Sequence, residues 1–289
     1  LAAWLLANGG AAASDVCGGV TWSNNSSGLS DLCGATGAET VTFTATDDCG
    51  NTSATSATFT IEDTDAPSID IAAADETVEC DGAGNATEFA AWLAINGGAA
   101  ASDVCGGVMR SNNSTGLSNL CGATGAETVT FTATDECGNA STTSATFTIE
   151  DTTPPAFAPE AQDLTVECDG AGNIADLDNW LNNNGFSAAT DACSVDAALV
   201  WSNDFVALSD DCGATGSATV TFTVEDNCGN TSATTATFTI EDTTPPALNN
   251  TIAPQFLSLN SDCKIVMPDF IRTISNDATD ACDPVIDFK

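Results

Sequence analysis

Residues 125–151 read GAETVTFTATDECGNASTTSATFTIED. Val129, Phe131 and Ala133 alternate with threonines, and Ala145, Phe147 and Ile149 do so again after the intervening ECGNAST. Period-two alternation is the mark of a half-buried strand, and two such runs joined by a Gly/Asn turn predict a β-hairpin. Nearly the same text occurs at 37–63 and, with more changes, at 216–242. Cys17, Cys33 and Cys49 recur as Cys105, Cys121 and Cys137, each displaced by 88 residues (105 − 17), and Cys80 recurs as Cys168 at the same offset. The third copy supplies Cys193, Cys212 and Cys228. A solenoid unit spans about 20–50 residues, so this longer period suits a complete small domain with its own core.

The expected fold is therefore mainly β: tandem immunoglobulin-like β-sandwich domains, each with a short helix insertion and two disulfides. Residues 1–65 form a partial repeat, 66–153 and 154–245 two complete ones, and 246–289 a partial, divergent one. LAAWLLANGG at Leu1 matches FAAWLAINGG at Phe89, so both ends are read as lying inside a longer array. No apolar run reaches the roughly 18–20 residues of a membrane-spanning helix.

Within the second repeat, SIDIAAADETVEC reads as a first strand. NATEFAAWLAINGG reads as a helix, with Asn85 as N-cap, Glu88 completing a capping box, and Phe89, Trp92 and Leu93 on one face. Asn96–Gly97 is the expected C-cap. The third repeat repeats the pattern with Asn173, Asp176, Leu177, Trp180 and Leu181. These tryptophans are expected to pack against the sheet, the alternative being a sugar-stacking platform. Trp22 and Trp201 stand where a sandwich-core tryptophan would, but the second copy has Arg110 there. A buried unpaired arginine is too costly, which moves that position to the surface.

The chain carries 41 acids against 4 bases and no histidine, a formal charge of −37. So few bases exclude nucleic acid and anionic membranes as partners. The acids would bind divalent cations, keep a surface hydrated in brine, or prevent chains from sticking to one another. Without histidine or tyrosine the usual catalytic bases are scarce, and acids that repeat in every copy point to architecture, so no enzyme is expected.

Thirteen cysteines at fixed repeat positions, with no CxxC spacing and no histidine, read as a disulfide framework rather than a zinc site. An oxidising, extracellular location follows. In an immunoglobulin-like sandwich the first strand runs parallel to the last. This puts Cys80 and Cys121 at one pole and Cys105 and Cys137 at the other. The expected bonds are Cys80–Cys121 and Cys105–Cys137, then Cys168–Cys212 and Cys193–Cys228, and Cys17–Cys49. Cys33 would be left to a partner before residue 1, and Cys263 and Cys282 to partners beyond Lys289.

Topology also gathers acids at the linkers EDTDAP and EDTTPP, whose prolines keep them stiff. At one junction Glu150 and Asp151 meet Asp226, Asn227 and Asn230. At the preceding one Glu62, Asp63 and Asp65 meet Asp135, Glu136 and Asn139. Clustered carboxylate and amide oxygens suit calcium, and the alternative is that Asp and Asn serve turn geometry alone. The arrangement resembles the logic of cadherins, though their motifs are absent.

VTFTATDxCGN, then TFTIEDTTPP, then TVECDG, resembles the hyalin-repeat (HYR-like) immunoglobulin domains, and more closely the cysteine-rich tandem repeats of large secreted surface proteins of Bacteroidetes. The resemblance implies an extracellular structural or adhesive role, with neighbouring repeats of the same chain or identical chains in a filament as partners, and surface glycans as further ones. A carbohydrate-binding module array is the alternative. The Asp-Thr-Thr linkers resemble an O-glycosylation acceptor used by such bacteria, which would modify Thr152 and Thr243. Asn51, Asn113 and Asn230 head N-x-Ser/Thr sequons.

Overall fold

The computed structural model describes residues 1–248 and 278–282. Most of the divergent fourth repeat, Cys263 included, lies outside the described residues. The protein is mainly β, a tandem array of immunoglobulin-like β-sandwich repeats. It divides into two compact units: residues 1–78, 84–120 and 124–150, and residues 79–83, 121–123 and 151–289.

In the first unit the second repeat folds as a four-stranded sheet in the order Glu76–Glu79, Ala140–Glu150, Gly125–Asp135, Val108–Asn112. The predicted hairpin is its centre, pairing Gly125 with Ile149 and Thr134 with Ala140. Val129, Phe131, Ala145, Phe147 and Ile149 point inward and are buried. The threonines between them face outward, where opposed hydroxyls bond across the hairpin, as in Thr128 with Thr146 at 2.9 Å. The second unit repeats this plan with Leu164–Glu167, Thr231–Glu241, Gly216–Glu225 and Val200–Asn203. There the first strand runs parallel to the last, Leu164 opposite Phe238.

The predicted single first strand is two strands. Ser68–Ile71 pairs with Ala100–Ser102 in a separate ribbon, and only Glu76–Glu79 joins the main sheet. AAAD between them, short of β-branched residues, is where the chain changes sheets.

The helices form as expected, Ala86–Ala94 and Ile174–Asn182. Trp92 and Trp180 are 3% and 0% exposed, each edge-on to a sheet phenylalanine, with Trp180 and Phe222 centroids 5.1 Å apart. Each indole N–H donates to a loop carbonyl, that of Trp180 to Gln162 O at 2.9 Å. These rings are core, not a sugar platform. Gly185 follows the helix with φ +65°, and a Cβ there would fall 2.8 Å from the Phe222 ring, so the turn can pass over the core only as glycine. The capping box is corrected. Asn173 is buried, and its amide donates to Glu167 O and to the Asp176 carboxylate while its oxygen accepts Asp169 N–H, tying the strand end to the helix start instead of capping the helix's own N–H groups.

Arg110 is exposed, its guanidinium donating to Ala101 O at 3.2 Å, as its sequence predicted. In the third repeat Trp201 is half-buried against Phe157.

The disulfide pairings are corrected throughout. The bonds are Cys33–Cys137, Cys80–Cys193, Cys121–Cys228 and Cys168–Cys282. None of Cys80–Cys121, Cys105–Cys137, Cys168–Cys212, Cys193–Cys228 or Cys17–Cys49 forms, and Cys17, Cys49, Cys105 and Cys212 are free. Cys33 and Cys282 have partners inside the chain. The physical reason is the Cys-Gly-Ala-Thr loop, which turns outward from its own sandwich. Ala123 N–H donates to Cys193 O, and Ala35 N–H to Cys105 O, which brings each loop cysteine onto the following repeat. The Cα atoms of the bonded pairs lie 5.1–6.0 Å apart, the ordinary span of a disulfide.

Candidate cation site at the repeat junction

The second unit builds its junction from the turn Asp226–Asn230, the loop Asp191–Ser194 and the tail that follows Glu150. Asp226 organises the turn. Its Oδ1 accepts N–H groups of Cys228 and Asn230 at 2.7 and 2.9 Å, and its Oδ2 accepts the Asn230 side chain. Asn230 also donates to Asp151 O at 3.0 Å, fixing the tail. Asp191 Oδ1 accepts N–H groups of Cys193 and Ser194, both at 2.8 Å. The tail is gripped from its other side by Glu79, which accepts both the N–H and the hydroxyl of Thr152 and the hydroxyl of Thr153.

These anchors bring carboxylates together. Asp151 has an oxygen within 4.8 Å of one from Asp226, and likewise of one from Asp191. Asp151 is 8% exposed and Asp226 4%. Asp151 Oδ1 accepts Thr153 N–H at 3.2 Å, while its Oδ2 is buried without a hydrogen-bond partner. Burial, and then the charges of Asp191, Asp226 and Glu79, push the Asp151 carboxyl above its ordinary value. A buried carboxylate oxygen with no donor among like charges is costly, and a cation would satisfy it. The sulfurs nearby belong to Cys193 and Cys228, both oxidised, so thiolate ligation is closed and the available donors are oxygens. That donor set fits a hard cation such as calcium and not zinc.

In the first unit Asp63, Asp103 and Cys105 gather in the same way, with Asn139 donating to Asp63 O at 3.1 Å. Asp242, Asp280 and Cys282 form a more exposed counterpart in the second unit.

Of the residues proposed from sequence, Asp151, Asp226 and Asn230 meet, as do Asp63 and Asn139, whose partner in the turn is Asp135. Others are used elsewhere or stay in solvent. Glu136 accepts Gly34 N–H at 2.9 Å, Asn227 N–H donates to Ser194, and Glu62, Asp65 and Glu150 are exposed. Asp191 and Asp103 were missed. Their signal was present: an aspartate stands two residues before the cysteine in SDVC and TDAC of every copy, and its carboxylate accepts that cysteine's N–H. The glycosylation candidates Thr152 and Thr243 are exposed, but their hydroxyls donate to Glu79 and Glu167, bonds a glycan on Oγ1 would remove.

No protein-family model matches the chain, and no curated protein matches it. Among solved structures it is similar to the Protocadherin GammaB4 extracellular domain (12% identity, 73% of this chain and 38% of that one, TM-score 0.30). It is also similar to Drosophila N-cadherin EC1-4 (11%, 73% and 59%, 0.26) and the human Desmocollin-1 ectodomain (10%, 73% and 48%, 0.22). The chain thus spans less than two thirds of the length of each, and likeness this slight carries no role across.

Proposed function

We propose that the chain is part of an extracellular structural or adhesive repeat array, acting by binding and bearing load rather than by catalysis. The observation that supports it is the bonding of successive repeats to one another, Cys33 to Cys137 and Cys121 to Cys228, in place of closure within each repeat. Such bonds require an oxidising compartment and resist separation of the repeats more than unfolding of any one. The finer reading is that calcium occupies the Asp151–Asp191–Asp226 cluster and stiffens the junction into a rod. The buried, unpartnered Asp151 Oδ2 supports it.

Calorimetric titration of the intact, oxidised chain with calcium, after chelation, tests this. Binding with dissociation constants of about 10⁻⁴–10⁻³ M is expected, with a rise in melting temperature by mass action. Asp151→Asn should remove the tightest event. No heat and an unchanged melting temperature would refute the calcium reading and leave the disulfide-bonded array standing.

A further inference from the structure

Among the described residues, nothing covers the face of the first repeat that corresponds to the covered faces of the later ones. A groove of about 220 Å³ is lined there by Ala13, Ser14, Asp15, Val20, Asp47 and Asn51, and beside it Cys17 and Cys49 are free and exposed. Their counterparts are engaged. In the second repeat, Cys137 stands for Cys49 and is bonded to Cys33, Asn139 stands for Asn51 and holds Asp63 O, and Cys105 stands for Cys17 and accepts Ala35 N–H at 2.9 Å. In the third, Cys228 is bonded to Cys121, Asn230 holds Asp151 O, Cys193 accepts Ala123 N–H at 3.0 Å and is also bonded to Cys80.

Burial follows the number of contacts filled. Cys17 is exposed, Cys105, with the loop but no bond, is half-buried, and Cys193, with both, is 6% exposed. Asp135 and Asp226 are each 4% exposed, whereas Asp47 is only half-buried. The other two unpaired cysteines obey the same rule. Among the described residues, Cys105 meets a loop but no strand-end cysteine, and Cys212 meets no turn cysteine.

We propose that this face binds another repeat of the same kind, seating its Glu-Asp-Thr tail on Asn51 and its Cys-Gly-Ala loop on the Cys17 carbonyl. Cys49 then bonds to the loop cysteine, and Cys17 to the cysteine that ends the other repeat's Thr-Val-Glu-Cys strand. Each bond forms by thiol–disulfide exchange. Two thiols lose two protons and two electrons, and a disulfide oxidant such as oxidised glutathione takes them up to become two thiols. The inference stands apart from the calcium reading, since neither sulfur pairing needs a cation.

The test is capture of a peptide by the intact chain in a glutathione redox buffer, read by mass spectrometry of the mixed disulfides. The probe is the octapeptide SDLCGATG, which copies residues 30–37. Capture at Cys49 should exceed that of a scrambled peptide by about tenfold, equivalent to about 1.4 kcal/mol, with little at Cys17 or Cys212. A peptide N-methylated at its alanine lacks the N–H for the Cys17 carbonyl and should fall to the scrambled level. Equal capture of native and scrambled peptides, an even spread over the free cysteines, or indifference to N-methylation would each overturn the proposal.

Discussion

Glu167 holds Thr243 with both oxygens of its carboxylate, accepting the N–H at 3.0 Å and the hydroxyl at 2.8 Å. The bonds from the Thr243 side chain first, then the Thr244 side chain and the Thr243 N–H, keep the Glu167 carboxyl below its ordinary value. A carboxylate with a lowered folded pKa contributes stability that is present above its unfolded pKa, near 4.5, and is lost as pH falls through the folded value. The melting temperature of Glu167→Gln should therefore lie below that of the parent at pH 7, and the two should converge as pH falls through the lowered folded value. A constant gap across that range would show that Glu167 acts through something other than its charge.

Cysteine connectivity is checked by peptide mapping without reduction. Cys80–Cys193 and Cys121–Cys228 peptides are expected, and recovery of Cys80–Cys121 would contradict the structure. Cys228→Ser should lower stability by about 2–5 kcal/mol, measured by denaturant unfolding, and release Cys121 to alkylation.

The helix cores make the largest single-residue effect. Trp180→Ala should cost about 3–5 kcal/mol through the cavity it leaves against Phe222 and Phe238. Gly185→Ala should also destabilise, since it places a Cβ against Phe222 at a positive φ. A Gly185→Ala protein as stable as the parent in thermal unfolding would mean the turn is free to move.

Two repeats solve one packing problem in different ways. Glu127 accepts the Ser114 hydroxyl and the N–H groups of Thr115 and Gly116. The corresponding residues of the third repeat are Ala218 and Phe205, both of which pack against the edge of the core. Glu127→Ala alone should destabilise by leaving those donors without an acceptor, and adding Ser114→Phe should recover part of the loss. A double-mutant cycle with a coupling of about 0.5–3 kcal/mol is expected, and additive effects would show that the two solutions are unrelated.

The hairpins and helices were legible because their apolar spacing is regular and repeated. Val129, Phe131 and Phe147 announce a strand period, and Trp92 a helix face. The poles of the cysteines were legible too, from the parallel pairing of first and last strands. What could not be read was the direction of the Cys-Gly-Ala-Thr loop. Whether Cys121 turns toward Cys80 or toward Cys228 is decided by one backbone bond, from Ala123 to Cys193, between residues far apart in sequence. The acid cluster was half legible for the same reason. Asp151 and Asp226 flank obvious turns, but Asp191 joins them from a separate loop, held in place by the bond from Ala123 N–H to Cys193 O.

The linker at 151–155 is bypassed by covalent bonds on two sides, since Cys80–Cys193 and Cys121–Cys228 both connect residues before it to residues after it. Its exposed threonines are open to proteases, yet a single backbone cut there would not release a fragment. The nicked chain would migrate as one species until reduced and as two afterwards. Continuity across this joint therefore does not depend on an intact main chain, which gives the molecule a tolerance to enzymatic damage that its peptide bonds alone would not provide.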